Sequence, residues 1–286
     1  MALAMPHVEG VEHRYVRVNG LRVHYAEAGE GEPLVLQHGW PQHWWAWRDH
    51  IGPLAERFRV ICPDLRGFGW SEAPPSGYDK PQLADDLIAL LDALDLDRVK
   101  LVGHDWGAFA GFLACLDHPD RIERFVALSI VPPWRSGRPS PAILLRAWYQ
   151  AVLAAPVVGP LAVRRVRFPE QLLKRARAAD DWSDEELLTY REAIERPDSV
   201  AATVRLYRTF LLRELPGLAL GAYDGHRLTV PTRLLIGRSD PIRSGLDDAY
   251  REKSDDMEVE VVDGAGHFLP EERPDAVRER ILEFMS

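Results

Sequence analysis

The chain has 286 residues, which fits one large domain or one domain carrying an insertion. Apolar residues make up 46% and charged residues 28%, so a disordered or collagen-like chain is excluded. A net charge of −9 argues against a general nucleic-acid binder.

The first thirty residues predict a hairpin. His13–Val18 and Leu21–Ala28 alternate in polarity around Asn19-Gly20, a dipeptide that favours the positive φ of a tight turn. Beyond them come short runs rich in β-branched residues: Pro33–Gln37, Phe58–Cys62, Val99–Gly103, Phe125–Leu128, Thr232–Ile236 and Met257–Val262. Helical stretches separate these runs. In one, Leu83, Leu87, Leu90, Leu91 and Leu94 share a face while Asp85, Asp86, Asp92 and Asp95 mostly point elsewhere. Such alternation predicts an α/β protein with a mostly parallel, twisted sheet flanked by helices.

The alternation breaks between about Pro132 and Tyr223. That stretch reads as helical, holds Trp134, Trp148 and Trp182, and carries 14 Lys/Arg against 10 Asp/Glu, whereas the remainder is strongly acidic. It is expected to be an α-helical cap over residues 132–223, inserted into a core made of 1–131 and 224–286. The basic run Arg164, Arg165, Arg167, Lys174, Arg175 and Arg177 reads as a solvated helix face. The longest uncharged run, Ala147 to Val163, contains Gln150, Pro156, Gly159 and Pro160 and makes a poor membrane span. The N-terminal MALAMPHVEG lacks the layout of a secretory signal. Cys62 and Cys115 lie far apart, with no CxxC or Cys/His spacing, which gives neither a disulfide framework nor a metal site. The expectation is a soluble, cytoplasmic protein with no cofactor and no metal.

The sharpest chemical signal is Gly103-His104-Asp105-Trp106-Gly107, where a strand run ends and a helix begins. Small residues on both sides of a central Asp match the tight turn called a nucleophile elbow. A central carboxylate there can attack carbon and form an alkyl ester. The plainer alternative is that Asp105 only caps the next helix. His38-Gly39-Trp40-Pro41 follows another strand. In a fold with such an elbow, this loop and the residue after the nucleophile supply backbone N–H groups to an oxyanion hole, here those of Trp40 and Trp106. Trp40-Pro41 is a candidate cis peptide. Trp44, Trp45 and Trp47 read as an aromatic core cluster. Late in the chain, Asp263-Gly-Ala-Gly-His267 offers a general base, and Gly237-Arg-Ser-Asp240-Pro241 an acid to orient it. Turn formation by Asp-Pro is the plainer role for Asp240. The order Asp105, Asp240, His267 is nucleophile, acid, histidine.

On HGWP, the Asp64–Ser71 loop, GHDWG, GRSDP and GAGH, nearly the whole chain resembles an α/β-hydrolase of the epoxide hydrolase group, close to haloalkane dehalogenases. The resemblance implies that two cap tyrosines hold and protonate the epoxide oxygen. Tyr149, in a Tyr-Gln pair, and Tyr207, followed by Arg208, match their places, though the residues flanking Tyr207 depart from the commonest form. It implies conversion of a small apolar epoxide and water to a vicinal diol through an Asp105 ester, with Asp105, His267, Asp240, Tyr149 and Tyr207 catalytic and Trp40 and Trp106 binding the oxyanion. No nucleic acid or membrane partner is implied, and a homo-oligomer is compatible with the sequence. The nearest rival is a haloalkane dehalogenase with the same nucleophile, in which the Trp106 indole N–H would hold a halide. Against it stand Trp40, where many dehalogenases have Asn, and the tyrosine pair, which has no task there. A non-catalytic ligand receptor on the same fold is the remoter alternative.

Overall fold

The computed structural model describes residues 3–134, 148–178, 182–246 and 250–286. Eight strands form one sheet: β1 (Glu12–Val18), β2 (Leu21–Ala28), β3 (Glu32–Gln37), β4 (Phe58–Pro63), β5 (Val99–His104), β6 (Ile122–Leu128), β7 (Thr232–Gly237) and β8 (Met257–Val262). Their order is β1-β2-β4-β3-β5-β6-β7-β8. The predicted hairpin is present, turning at Asn19 and Gly20, both at positive φ. β2 is antiparallel to β1 and β4, and every pairing from β4 to β8 is parallel. The chain order reverses around β3, so the loops leaving the carboxyl ends of β3 and β5 open into one crevice, where ligands bind in sheets of this kind.

The period-two alternation of the buried strands decides the layers. Leu101 and Phe125 face one side, together with Leu83 and Leu87 of α2 (Lys80–Ala93) and Phe112 of α3 (Trp106–Asp117). Val102 and Val126 face the other, with Ile51 and Leu54 of α1 (Arg48–Ala55) and Val277 and Ile281 of the C-terminal helix 274–285. In α2 the leucines at helical spacing are buried and Asp79 caps the N-terminus, its side chain accepting from the Gln82 N–H. Trp44 and Trp47 are fully buried in the second layer.

Between β6 and β7 the described chain is helical, as a cap inserted into the core: α4 (Trp148–Ala154), α5 (Val158–Arg164), α6 (Phe168–Ala176), α7 (Asp184–Ile194) and α8 (Pro197–Thr209), followed by a π-helical turn at Phe210–Glu214 and α9 (Leu215–Ala219). α7 begins with a reciprocal capping box between Ser183 and Glu186. Residues 135–147 and 179–181 of the expected cap lie outside the described residues. No helix among the described residues is long and apolar enough to cross a membrane.

Candidate active site

Asp105 lies between β5 and α3 with φ 50° and ψ −121°, a backbone conformation that costs a non-glycine residue about 1–3 kcal/mol. Its neighbours make the turn possible. A Cβ on Gly107 would lie 2.4 Å from the His38 carbonyl oxygen, and one on Gly103 would lie 2.6 Å from Ala108 Cα. The turn is held by Asp105 N–H donating to the Leu128 carbonyl at 3.1 Å. Asp105 does not cap α3 through its side chain. Instead its Oδ1 accepts from the Trp40 N–H at 2.9 Å, and its Oδ2 lies 3.6 Å from His267 Nε2. Trp40-Pro41 is cis. Trp106 opens α3, where the first N–H groups have no intrahelical acceptor.

His267 Nδ1 lies 3.1 and 3.3 Å from the two oxygens of Asp240, so the imidazole spans both carboxylates. Asp240 is buried and also accepts from the Ile242 N–H at 3.0 Å. Burial pushes its carboxyl up, but His267 and that N–H outweigh it and hold the pKa below the usual value. Burial pulls His267 down, yet the charges and hydrogen bonds of Asp240 and Asp105 raise it to about 10. At neutral pH the resting imidazole is therefore a cation.

The histidine loop is pinned from beneath. Glu272 accepts from Gly266 N–H at 2.8 Å and Phe268 N–H at 2.9 Å, the residues on either side of His267, and from Ala178 N–H of the cap at 2.7 Å. His267 N–H donates to the Ala176 carbonyl at 2.8 Å. His104, fully enclosed, lies 2.8 Å through Nε2 from the His267 carbonyl, an acceptor that assigns the proton to that nitrogen. Burial lowers His104 to about 4, so it stays neutral.

Tyr149 and Tyr207 come from α4 and α8 and meet edge to face, ring centroids 6.1 Å apart. Tyr207 packs against Trp40 at 5.2 Å and Trp106 at 6.0 Å, and the Trp40 indole N–H donates to Thr203 Oγ1 at 3.0 Å. Burial raises the Tyr149 phenol to about 12 and the Tyr207 phenol well above its usual value, so both are protonated at pH 7.

A cavity of about 1200 Å³ contains Asp105, His267, Asp240, both tyrosines and Trp40 in its lining. Leu172, Ile242, Leu246, Val259 and Trp148 supply apolar wall, and Arg175, Arg238 and Arg243 also border it. All five residues expected to be catalytic thus meet in one space, with Trp40 beside them. Trp44, Trp45 and Trp47 stay out of it, and Arg175 is the member of the basic run that reaches it. Sequence reading passed over Glu272, Thr203 and His104. Only His104, inside the elbow motif, carried any signal.

The sheet order, the strained aspartate between β5 and α3, and the histidine after β8 define a hydrolase of the α/β class whose elbow holds a carboxylate. The family model for the alpha/beta hydrolase fold matches residues 32–274. The chain is 33% identical to a soluble epoxide hydrolase of Corynebacterium sp. (strain C12), covering 96% of this chain and 98% of that one. It is 31% identical to epoxide hydrolase A of Mycobacterium tuberculosis, covering 96% and 97%. A solved structure of the epoxide hydrolase CorEH superposes with a TM-score of 0.85 at 33% identity, covering 96% and 98%. The chain belongs to the α/β-hydrolase fold family, in its epoxide hydrolase group.

Proposed function

We propose that the protein opens a small apolar epoxide to a vicinal diol through an ester of Asp105. The observation that carries this reading is that the tyrosine pair and the elbow aspartate line one cavity, because ring opening needs a nucleophile on carbon and an acid on oxygen. Trp40 holds Asp105 Oδ1, which leaves Oδ2 to attack carbon. Tyr149 and Tyr207 donate to the epoxide oxygen, and the proton lost by the phenol is replaced from the His267 imidazolium. Ester formation removes the Asp105 charge that helps hold His267 near 10, so the imidazole gives up its proton more readily as the ester appears.

His267 then takes a proton from water as it attacks Asp105 Cγ, and Asp240 stabilises the returning cation. The Trp40 and Trp106 N–H groups bind the tetrahedral oxyanion. Collapse expels the product alkoxide, which takes the remaining water proton from the Asp105 carboxyl, so the diol leaves, carboxylate and imidazolium stand restored, and the sum is epoxide plus water. No step calls for a metal or organic cofactor.

The division into a core of 1–131 and 224–286 and a cap of 132–223 fits this reading, because the core would supply nucleophile and base and the cap the acid. Two free, buried cysteines support a cytoplasmic location. The same proposal includes no nucleic-acid partner and is compatible with a homo-oligomer. The test is incubation of purified protein with styrene oxide and, separately, 1-bromobutane, measuring diol and bromide. Diol without bromide is expected. Bromide without diol would establish a dehalogenase, and neither product from broader panels a non-catalytic receptor.

A further inference from the structure

The Lys80 ammonium is completely enclosed, and no step above uses it. It opens α2, in the core. Its Nζ donates to Glu214 Oε2 at 2.8 Å and to the Leu206 carbonyl at 3.4 Å, while its backbone N–H donates to Glu214 Oε1 at 2.5 Å. The same Nζ stands 4.4 Å from the centre of the Trp106 ring and 5.1 Å from that of Phe210. Trp106 belongs to the elbow, whereas Leu206, Phe210 and Glu214 belong to the cap. Leu206 directly precedes Tyr207, and Phe210 and Glu214 bound the π-helical turn, a distortion found often at functional sites.

Stability alone does not explain such a pair. Replacing a buried ion pair with apolar side chains of similar volume is often neutral or stabilising. What the pair adds is direction. It joins the turn after Tyr207 to the first turn of a core helix and places a cation on the face of Trp106. The Trp106 indole is itself buried, and its ring packs against Tyr207. Burial drives the Tyr207 phenol upward, and the Trp106 indole acts the other way.

We propose that Lys80 and Glu214 form a latch between core and cap, in which Lys80 is a positioning residue that keeps Trp106 and Tyr207 in register for epoxide opening. The latch acts on ring opening. It contacts neither His267 nor Asp240, and it meets Trp106 at the ring and not at the backbone N–H that serves the oxyanion, so ester hydrolysis depends on it far less.

The proposal rests on the epoxide reading, and wild-type enzyme tests that reading separately in one experiment. Rapid-quench mass spectrometry with styrene oxide gives the rates of ester formation and ester decay. Lys80→Met takes the ammonium partner from Glu214, so Lys80→Met/Glu214→Leu, which removes both charges, is measured beside it. In both variants ester formation should fall by about 10-fold or more, as small misplacements of reacting groups do, with decay nearly unchanged. In a Tyr207→Phe background the double change should have little further effect, because the positioned group is gone. Wild-type ester formation by the folded double variant, an equal loss in both steps, or full additivity with Tyr207→Phe would overturn the latch. Wild-type enzyme that forms no ester would refute the epoxide reading and the latch with it.

Discussion

His267 Nε2 lies 3.6 Å from Asp105 Oδ2, so the proposed base and the proposed nucleophile face each other as an ion pair. With Asp240 on the other nitrogen, this raises the His267 pKa to about 10, against about 6.5 in an unfolded chain. The folded state therefore binds more protons than the unfolded state between these values, and stability must fall with pH there. The contribution is complete below about pH 6.5 and lost as pH rises through about 10. Urea unfolding of wild type and His267→Gln at pH 6, 8 and 10 checks this. The wild type should lose more stability over that range than the variant. Equal slopes would show that the resting imidazole is not held as a cation.

A covalent route leaves an isotopic trace. Asp105 supplies the first product oxygen and is repaired by water, so one turnover in ¹⁸O-water with enzyme in excess should label the Asp105 carboxylate and not the diol. Peptide mass spectrometry reads the label. Heavy oxygen found directly in the diol would mean simple water addition and would remove Asp105 from the nucleophile's role.

The two half-reactions also separate at the histidine. His267→Gln takes away the water-activating base, while the Trp40 N–H still holds Asp105 and the phenols already carry the one proton a single ring opening consumes. The ester should accumulate, and intact-protein mass should rise by one substrate. A folded variant with an unmodified mass after exposure to epoxide would assign the base elsewhere.

Much of this arrangement could be read from the chain because its signals are local. An elbow needs small residues within two positions of the nucleophile, and Gly103 and Gly107 stand at those positions. The strands announced themselves through β-branched runs, and the leucines of α2 through their spacing. Glu272 could not be found that way. Its carboxylate joins Gly266 and Phe268 to Ala178, far away in the chain, and a glutamate in a short helix looks like any surface glutamate. Lys80 hid for a similar reason. A lysine after an N-cap aspartate reads as solvated, and only the cap folding over it makes it interior. Arg175 was assigned to a solvated face and is indeed exposed, yet it borders the cavity, because the orientation of α6 on the core is set by tertiary packing.

The tyrosines decide between epoxide and halide. An opening epoxide places negative charge on oxygen, and a positioned acid is worth about 10²–10⁴-fold in rate. Tyr149 and Tyr207 are both protonated phenols that line the cavity and meet edge to face, so either can serve when the other is lost. Tyr149→Phe and Tyr207→Phe should each keep part of the alkylation rate, and the double variant should lose most of it. Ester hydrolysis, which runs through His267, should suffer less. A leaving bromide needs no proton, so debromination of 1-bromobutane, where present, should change far less than epoxide opening. Pre-steady-state alkylation of Asp105 in wild type, both single variants and the double variant is the measurement. If the double variant opens epoxide within a few-fold of wild type, the phenols are packing groups, and the dehalogenase reading moves to first place.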